Sequence, residues 1–231
     1  VSDPTEPDGA PTAAAPDDDS PLVRHLREWV GVSAGVFDAG RLQGDPELPV
    51  RIHHVPPTET KPFHYLATDG MRRWLQPKPP EVEDAPERVE LVLGLDGGWP
   101  LAPERMHEPE VTWPVQLLAS LAHFPASEGA WLGEGHSLPN GDPPAPYIDG
   151  LGWCGVLILP PVSLPPEADL FEGESGPVRL FGVVPVYADE LKLKLEQGTR
   201  ALLERFDRHH INEVLDPQRP KVAGGLFDLL A

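Results

Sequence analysis

Proline and glycine decide what this chain can build, with 31 prolines and 22 glycines among 231 residues. Proline lacks a backbone N–H and fixes φ, so it ends helices and is kept to the margins of strands. A chain punctuated this often holds only short elements between turns. The content stays just short of low-complexity disorder, and most of the prolines fall between periodic apolar segments. They read as loop punctuation inside a folded domain. With 40% apolar residues the chain can bury a core, and its length suits one compact domain.

Residues 152–159 and 178–186 are nearly continuous apolar runs, the pattern of strands buried on both faces. Residues 63–68 form another strand candidate. Residues 88–95 alternate through Val89, Leu91, Leu93 and Leu95 before Asp96-Gly97-Gly98 turns the chain. A short strand is expected at 50–55, inside an otherwise mixed stretch from 35 to 62, and a last one at 211–215. Residues 76–86 read as a loop, and 131–140 as an extended, glycine-rich segment with a turn.

Three helices are predicted. The first follows Ser20, which can cap it; Pro21 suits its first turn and Gly31 its exit. The second spans 113–124, with Pro114 placed in the first turn. The longest spans 188–208, with Leu191, Leu195, Leu202 and Phe206 on one stripe. Gly198 lies on that stripe and is read as a point of close backbone approach. Three helices and six or seven strands define an α/β (α+β) fold, a single domain whose mixed β-sheet is flanked by helices.

The formal charge is −19. Residues 1–20 hold Asp3, Glu6, Asp8, Asp17, Asp18 and Asp19 with no Lys or Arg, and are expected to be a disordered acidic tail. Removing those six charges leaves −13, so the folded part is acidic too. This balance argues against a nucleic-acid surface, which needs clustered Lys and Arg, and suits a basic protein partner. The single cysteine, Cys154, allows neither an intramolecular disulfide framework nor a cysteine-based zinc site. No apolar run approaches the roughly 20 residues of a bilayer-spanning helix. No basic patch followed by an apolar stretch opens the chain. A cytoplasmic protein without membrane contact is expected.

Gly31-Val32-Ser33-Ala34-Gly35 satisfies the G-x-S-x-G pattern of hydrolases. That pattern works on a strand–turn–helix elbow, whereas here a helix precedes it, so the glycines read as helix cap and loop. Nine histidines include the pairs His53-His54 and His209-His210, but no H-E-x-x-H occurs. No metal site, cofactor or catalytic residue is expected. A hydrolase using Ser33 or a histidine-bound metal stands as the alternative, and a scaffold or adaptor working through the acidic tail as another. No phosphate-binding loop motif is present. Trp113 and Trp131 could be exposed binding aromatics, although core tryptophans are commoner.

Several segments, in order, resemble the Suppressor of fused family. They are Phe63-His64-Tyr65-Leu66-Ala67-Thr68-Asp69-Gly70-Met71, then 88–95, then Trp113-Pro114-Val115-Gln116-Leu117-Leu118, then Gly133-Glu134-Gly135-His136. Phe181-Gly182-Val183-Val184-Pro185-Val186-Tyr187 follows, and Asp216-Pro217-Gln218-Arg219 closes the series. Asp69 stands where the family usually has tyrosine. The resemblance spans roughly 35–222. It implies an α/β domain without catalytic activity that works by binding protein. Animal members hold transcription factors by gripping a peptide as an added strand between two halves, and this chain is too short for the second half. Bacterial members are regarded as immunity proteins that neutralise toxins, and an acidic inhibitor would fit a basic toxin. The family's partner contacts fall here on Phe124, Gly135 and His136, with Trp131 beside them. His64, Trp113, Pro114, Asp216 and Arg219 carry its sequence motifs.

Overall fold

A computed structural model describes residues 19–41, 49–82 and 84–223. The expected disordered tail therefore lies, apart from Asp19 and Ser20, outside the described residues.

The first helix, α1 (Pro21–Trp29), starts where the cap chemistry places it: the Ser20 hydroxyl accepts from Val23 N at 3.2 Å, and Pro21 opens the first turn. Gly31 follows with φ +156°, its α-carbon packed against Val55. Strands β1 (Gly35–Arg41), β2 (Pro49–Val55), β3 (Phe63–Asp69) and β4 (Val89–Asp96) form an antiparallel meander. Helix α2 (Pro109–Glu128) comes next, then β5 (Ser137–Pro139), β6 (Trp153–Leu159), β7 (Leu170–Gly173) and β8 (Gly176–Tyr187). The chain continues through α3 (Ala188–Gln197), α4 (Thr199–Arg208) and β9 (Val214–Leu215).

The strands make one sheet in the order β1-β2-β3-β4-β8-β6-β5, with β7 paired to β8 and β9 to β4. β4 runs parallel to β8 and to β9; the other pairs are antiparallel. The fold is thus a mixed α/β domain, as expected.

Its core explains the unbroken apolar runs. On one face α2 packs Val111, Trp113, Leu118 and Leu121 against Ile52, Leu66, Leu93, Val156, Ile158 and Val183. On the other, α1 covers Ala67, Val92 and Leu180 with Leu22 and Leu26, while α3 and α4 cover Leu157, Val184 and Val186 with Leu193, Leu202 and Phe206. Each such fully buried aliphatic side chain stabilises the fold by roughly 1.5–3 kcal/mol. Helices on both faces leave no polar side for β4, β6 or the second half of β8.

Several expectations are corrected. Strands β1, β5 and β7 do not follow from the sequence pattern as separate elements, and the α-helices number four among the described residues. Pro114 is not in the first turn, because α2 begins at Pro109 and holds both Pro114 and Pro125 in its interior. Each leaves one carbonyl of the preceding turn without its helical donor. The helix over 188–208 is two helices: Gly198 sits at φ +86°, ψ 164° and breaks it. No atom lies within 4 Å of where a Gly198 Cβ would stand, so close approach is not its role. Leu195, placed on the buried stripe, is 80% exposed.

Candidate functional site

Helix α2 ends at Gly129 in the left-handed region, φ +59°, and this turn carries the chain to Trp131. The Trp131 ring folds over Gly133, where a Cβ would come within 2.4 Å of it, so only glycine fits there. The same ring meets His136 edge-on with centroids 4.3 Å apart. Burial lowers the His136 pKa, partly offset by a hydrogen bond to the Trp131 carbonyl. Gly135, at φ +78°, makes room for Thr199 at the start of α4. Lys194 donates to the Ser137 hydroxyl at 2.9 Å.

Ser137 opens β5, the last strand in the sheet order, which among the described residues pairs with β6 alone. Beyond β5 lies a largely apolar groove of about 570 Å³, lined by Leu117, Leu121, Phe124, Leu138 and Tyr147 among others. Phe124 stands on the last turns of α2, half-buried. The structure thus places Phe124 on the groove side of β5 and the Trp131–His136 pair where the chain enters that strand.

The motif residues hold the fold. Trp113 is buried, with ring centroids 6.3, 6.0 and 5.7 Å from Trp99, Tyr147 and Trp153. Pro114 is buried in α2 beside it. His64 Nδ1 lies 2.8 Å from His54 Nε2, and burial lowers both pKa values, that of His54 to about 4. Asp216 accepts from Gln218 N at 2.8 Å, forming the turn that delivers Arg219. Arg219 then forks onto Glu190 at 2.8 and 2.6 Å, donates to the Pro185 carbonyl, and lies 4.6 Å from the Tyr187 ring centroid.

A polar network escaped the sequence reading. Ser33 Oγ lies 3.1 Å from His53 Nδ1, and His53 Nε2 lies 3.1 Å from Asp69 Oδ2. Distances alone make this the order of a serine–histidine–carboxylate relay. The surroundings do not: His53 is 0% exposed, so it has no access to a leaving group, and Ser33 also donates to the Gly35 carbonyl. The relay pins the α1–β1 loop to β2 and β3. Asp69 is bound on its other oxygen by Arg72 Nη1, which reaches Glu90 Oε1 at 3.1 Å. Burial pushes Asp69 up, but the His53 hydrogen bond and the Arg72 charge outweigh it and hold the carboxyl well below the carboxylate range. Burial pushes Glu90 up to about 7, against the pull of Arg72. Ser33, the His53-His54 pair and Asp69 each stand out in the sequence, but nothing there joins them into this network. Among the described residues no three His, Cys, Asp or Glu side chains converge as metal ligands, and no helix is long and apolar enough to cross a membrane.

Comparison with known proteins bears on this architecture. No curated protein matches the sequence. Among solved structures, a putative Suppressor of fused homologue from Neisseria gonorrhoeae matches with TM-score 0.59 at 15% identity, covering 88% of this chain and 93% of that one. The Sufu–Fu complex matches with TM-score 0.60 at 15% identity, over 92% and 95% of the two chains. Drosophila Suppressor of Fused matches with TM-score 0.52 at 15% identity, over 79% of this chain but 43% of that longer one. Likeness at this identity shows a shared fold. The family model for Suppressor of fused protein (SUFU) matches residues 46–220, and the chain belongs to the Suppressor of fused family.

Proposed function

We propose that this chain is a non-catalytic protein-binding module that sequesters a basic protein partner, in the manner of an immunity protein holding a toxin. The carrying observation is the apolar groove of Leu117, Leu121, Phe124, Leu138 and Tyr147 beside the terminal strand β5, in a chain of net charge −19. Groove and strand edge together offer apolar anchors and main-chain partners to an extended segment. The acidic surface speeds encounter with a basic protein and disfavours acidic competitors. Trp131, Gly135 and His136 form the rim at the strand's entry. The family supports the protein-binding part of this reading, since the Sufu–Fu complex is one of its protein assemblies. A cytoplasmic site of action fits it.

The test compares pull-downs from the source cell by the intact chain and by Phe124→Glu, with recovered proteins identified by mass spectrometry. A single basic protein, recovered one-to-one by the intact chain, lost with Phe124→Glu and inhibited by the complex, establishes the proposal. Equal recovery by both forms moves the binding face elsewhere, and no specific recovery at low or moderate salt removes tight sequestration altogether.

A further inference from the structure

A second site lies where β7 and β8 meet through the two-residue loop Glu174-Ser175. It is a pocket of about 340 Å³ lined by Arg72, Arg73, Arg88, Gly173, Glu174, Ser175 and Val178, and it shares no residue with the β5 groove. Three arginines at one pocket are conspicuous in a chain with 18 basic against 37 acidic residues.

Arg72 is 1% exposed, and its guanidinium is held from behind. Nη1 is taken by Asp69 and Glu90, and the Arg72 backbone N–H donates to Glu90 at 3.1 Å. Its other edge, Nε and Nη2, is turned to the hairpin. There it donates two parallel bonds to Glu174, at 2.9 and 2.8 Å. This is the bidentate geometry with which arginine recognises a carboxylate or a phosphoryl group. Here the carboxylate comes from the protein itself.

The three carboxylates on Arg72 differ in kind. Asp69 and Glu90 are buried, on or beside central strands; Glu174 is 49% exposed on a two-residue loop next to glycines. It is the one free to leave. Arg73, exposed, and Arg88, which donates to the Arg72 carbonyl at 2.7 Å, flank the pocket and form no ion pair with any described residue. With Glu174 in place, the outer edge of the Arg72 guanidinium is matched by its carboxylate. With Glu174 swung out, Nε and Nη2 of Arg72 lose their acceptors and open onto a pocket that Arg73 and Arg88 also line, a setting that favours an anion.

We infer that this pocket binds an oxyanion, a carboxylate or phosphoryl group of a small ligand, on the Arg72 fork with Arg73 and Arg88 beside it, and that Glu174 occupies the ligand's place until displaced. Nothing in the protein-binding proposal is needed for this, and the two can fail separately.

The intact folded chain is titrated with sodium phosphate and, separately, with sodium acetate at matched ionic strength against sodium chloride. Backbone amide shifts of Gly173, Ser175 and Gly176 and the Arg72 Nε–H resonance are followed. Removing the internal carboxylate with Glu174→Gln should tighten binding about tenfold, the worth of one charge-assisted contact. Arg73→Gln, at an exposed position, should weaken it severalfold in the Glu174→Gln background. A response to phosphate alone assigns a phosphoryl ligand, and a response to acetate as well assigns a carboxylate. Shifts no larger than those from chloride, or binding unchanged or weakened by Glu174→Gln, would overturn the inference. A preserved amide spectrum in each variant confirms that the fold is intact.

Discussion

Arg219→Met separates a motif residue that holds the fold from one that meets a partner. Arg219 lies against Glu190, which is fully enclosed and accepts from Tyr187 N at 3.0 Å and Val222 N at 3.2 Å besides the arginine fork. Methionine fills similar space but leaves a buried carboxylate without its counter-charge. Breaking such a pair from one side costs about 3–5 kcal/mol. Loss of the stacking on Tyr187 adds about 0.5–2 kcal/mol. A domain's whole stability is about 5–15 kcal/mol, so this is a large fraction of it. With a urea slope of about 2 kcal/mol per molar, the unfolding midpoint should fall by about 2 M. Tryptophan fluorescence is a suitable probe, since the Trp153 ring lies 5.9 Å from the guanidinium. The double variant Glu190→Gln with Arg219→Met removes the orphaned charge and should regain at least about 1 kcal/mol over Arg219→Met alone. A midpoint shift below about 0.5 M in the single variant, or no recovery in the double, would refute the reasoning.

The other predictions concern the polar network and the helix break. Glu90 titrates near 7 in the fold against an ordinary 4.5, so its contribution is whole below 4.5 and is lost as pH rises through 7, an effect of about 3 kcal/mol. Glu90→Gln should flatten that decline, read from thermal unfolding at mildly acidic and mildly alkaline pH; an unchanged decline assigns it to other groups. Asp69 has the opposite sign: its depressed pKa contributes stability above the ordinary carboxylate value that is lost on acidification, so Asp69→Asn should blunt acid unfolding. Ser33→Ala should cost about 1 kcal/mol and leave partner binding intact; fluorophosphonate labelling of Ser33 in the native chain would contradict the structural role. Gly198→Ala places a Cβ at φ +86° and should destabilise by about 1–2 kcal/mol in chemical denaturation, whereas a gain would show that α3 and α4 can join.

What could be read from the sequence follows from how local its cause is. The cap at Ser20 and the buried strands β6 and β8 were legible because each announces itself within ten residues or so. β1 was missed because its sequence, Gly-Val-Phe-Asp-Ala-Gly-Arg, has polar and small residues at an edge where pairing with β2 supplies the order. β5 and β7 have three and four residues, too short for any periodicity. The start of α2 was misjudged because Pro109 and Glu110 precede the apolar stripe, and Pro114 then looked like a first-turn proline. At the candidate site, Phe124, Gly135 and His136 rest on the order of family motifs alone, whereas no motif joins Ser33, His53, Asp69, Arg72, Glu90 and Glu174. They come from separate segments, and only the sheet register of β2 on β3 and β3 on β4 assembles them.

The division between motif and surface bears on how one scaffold can serve different partners. Trp113, Pro114 and Arg219 are buried, and each is occupied by packing or hydrogen bonds with other parts of the fold. Each therefore serves the scaffold through contacts inside the fold. The half-exposed positions are of another kind. Phe124, Trp131 and His136 sit near the end of α2 and the start of β5, and each is half-buried. On the proposed reading, partner contacts fall on these positions while Arg219 ties the segment after β9 to Glu190 of α3. The Arg72 network adds a condition of its own: Asp69 belongs to a carboxylate–guanidinium set that a tyrosine could not complete. Asp69→Tyr should thus loosen Arg72 and disturb the hairpin at Glu174 while leaving the β5 groove as it is, which an amide spectrum would map directly.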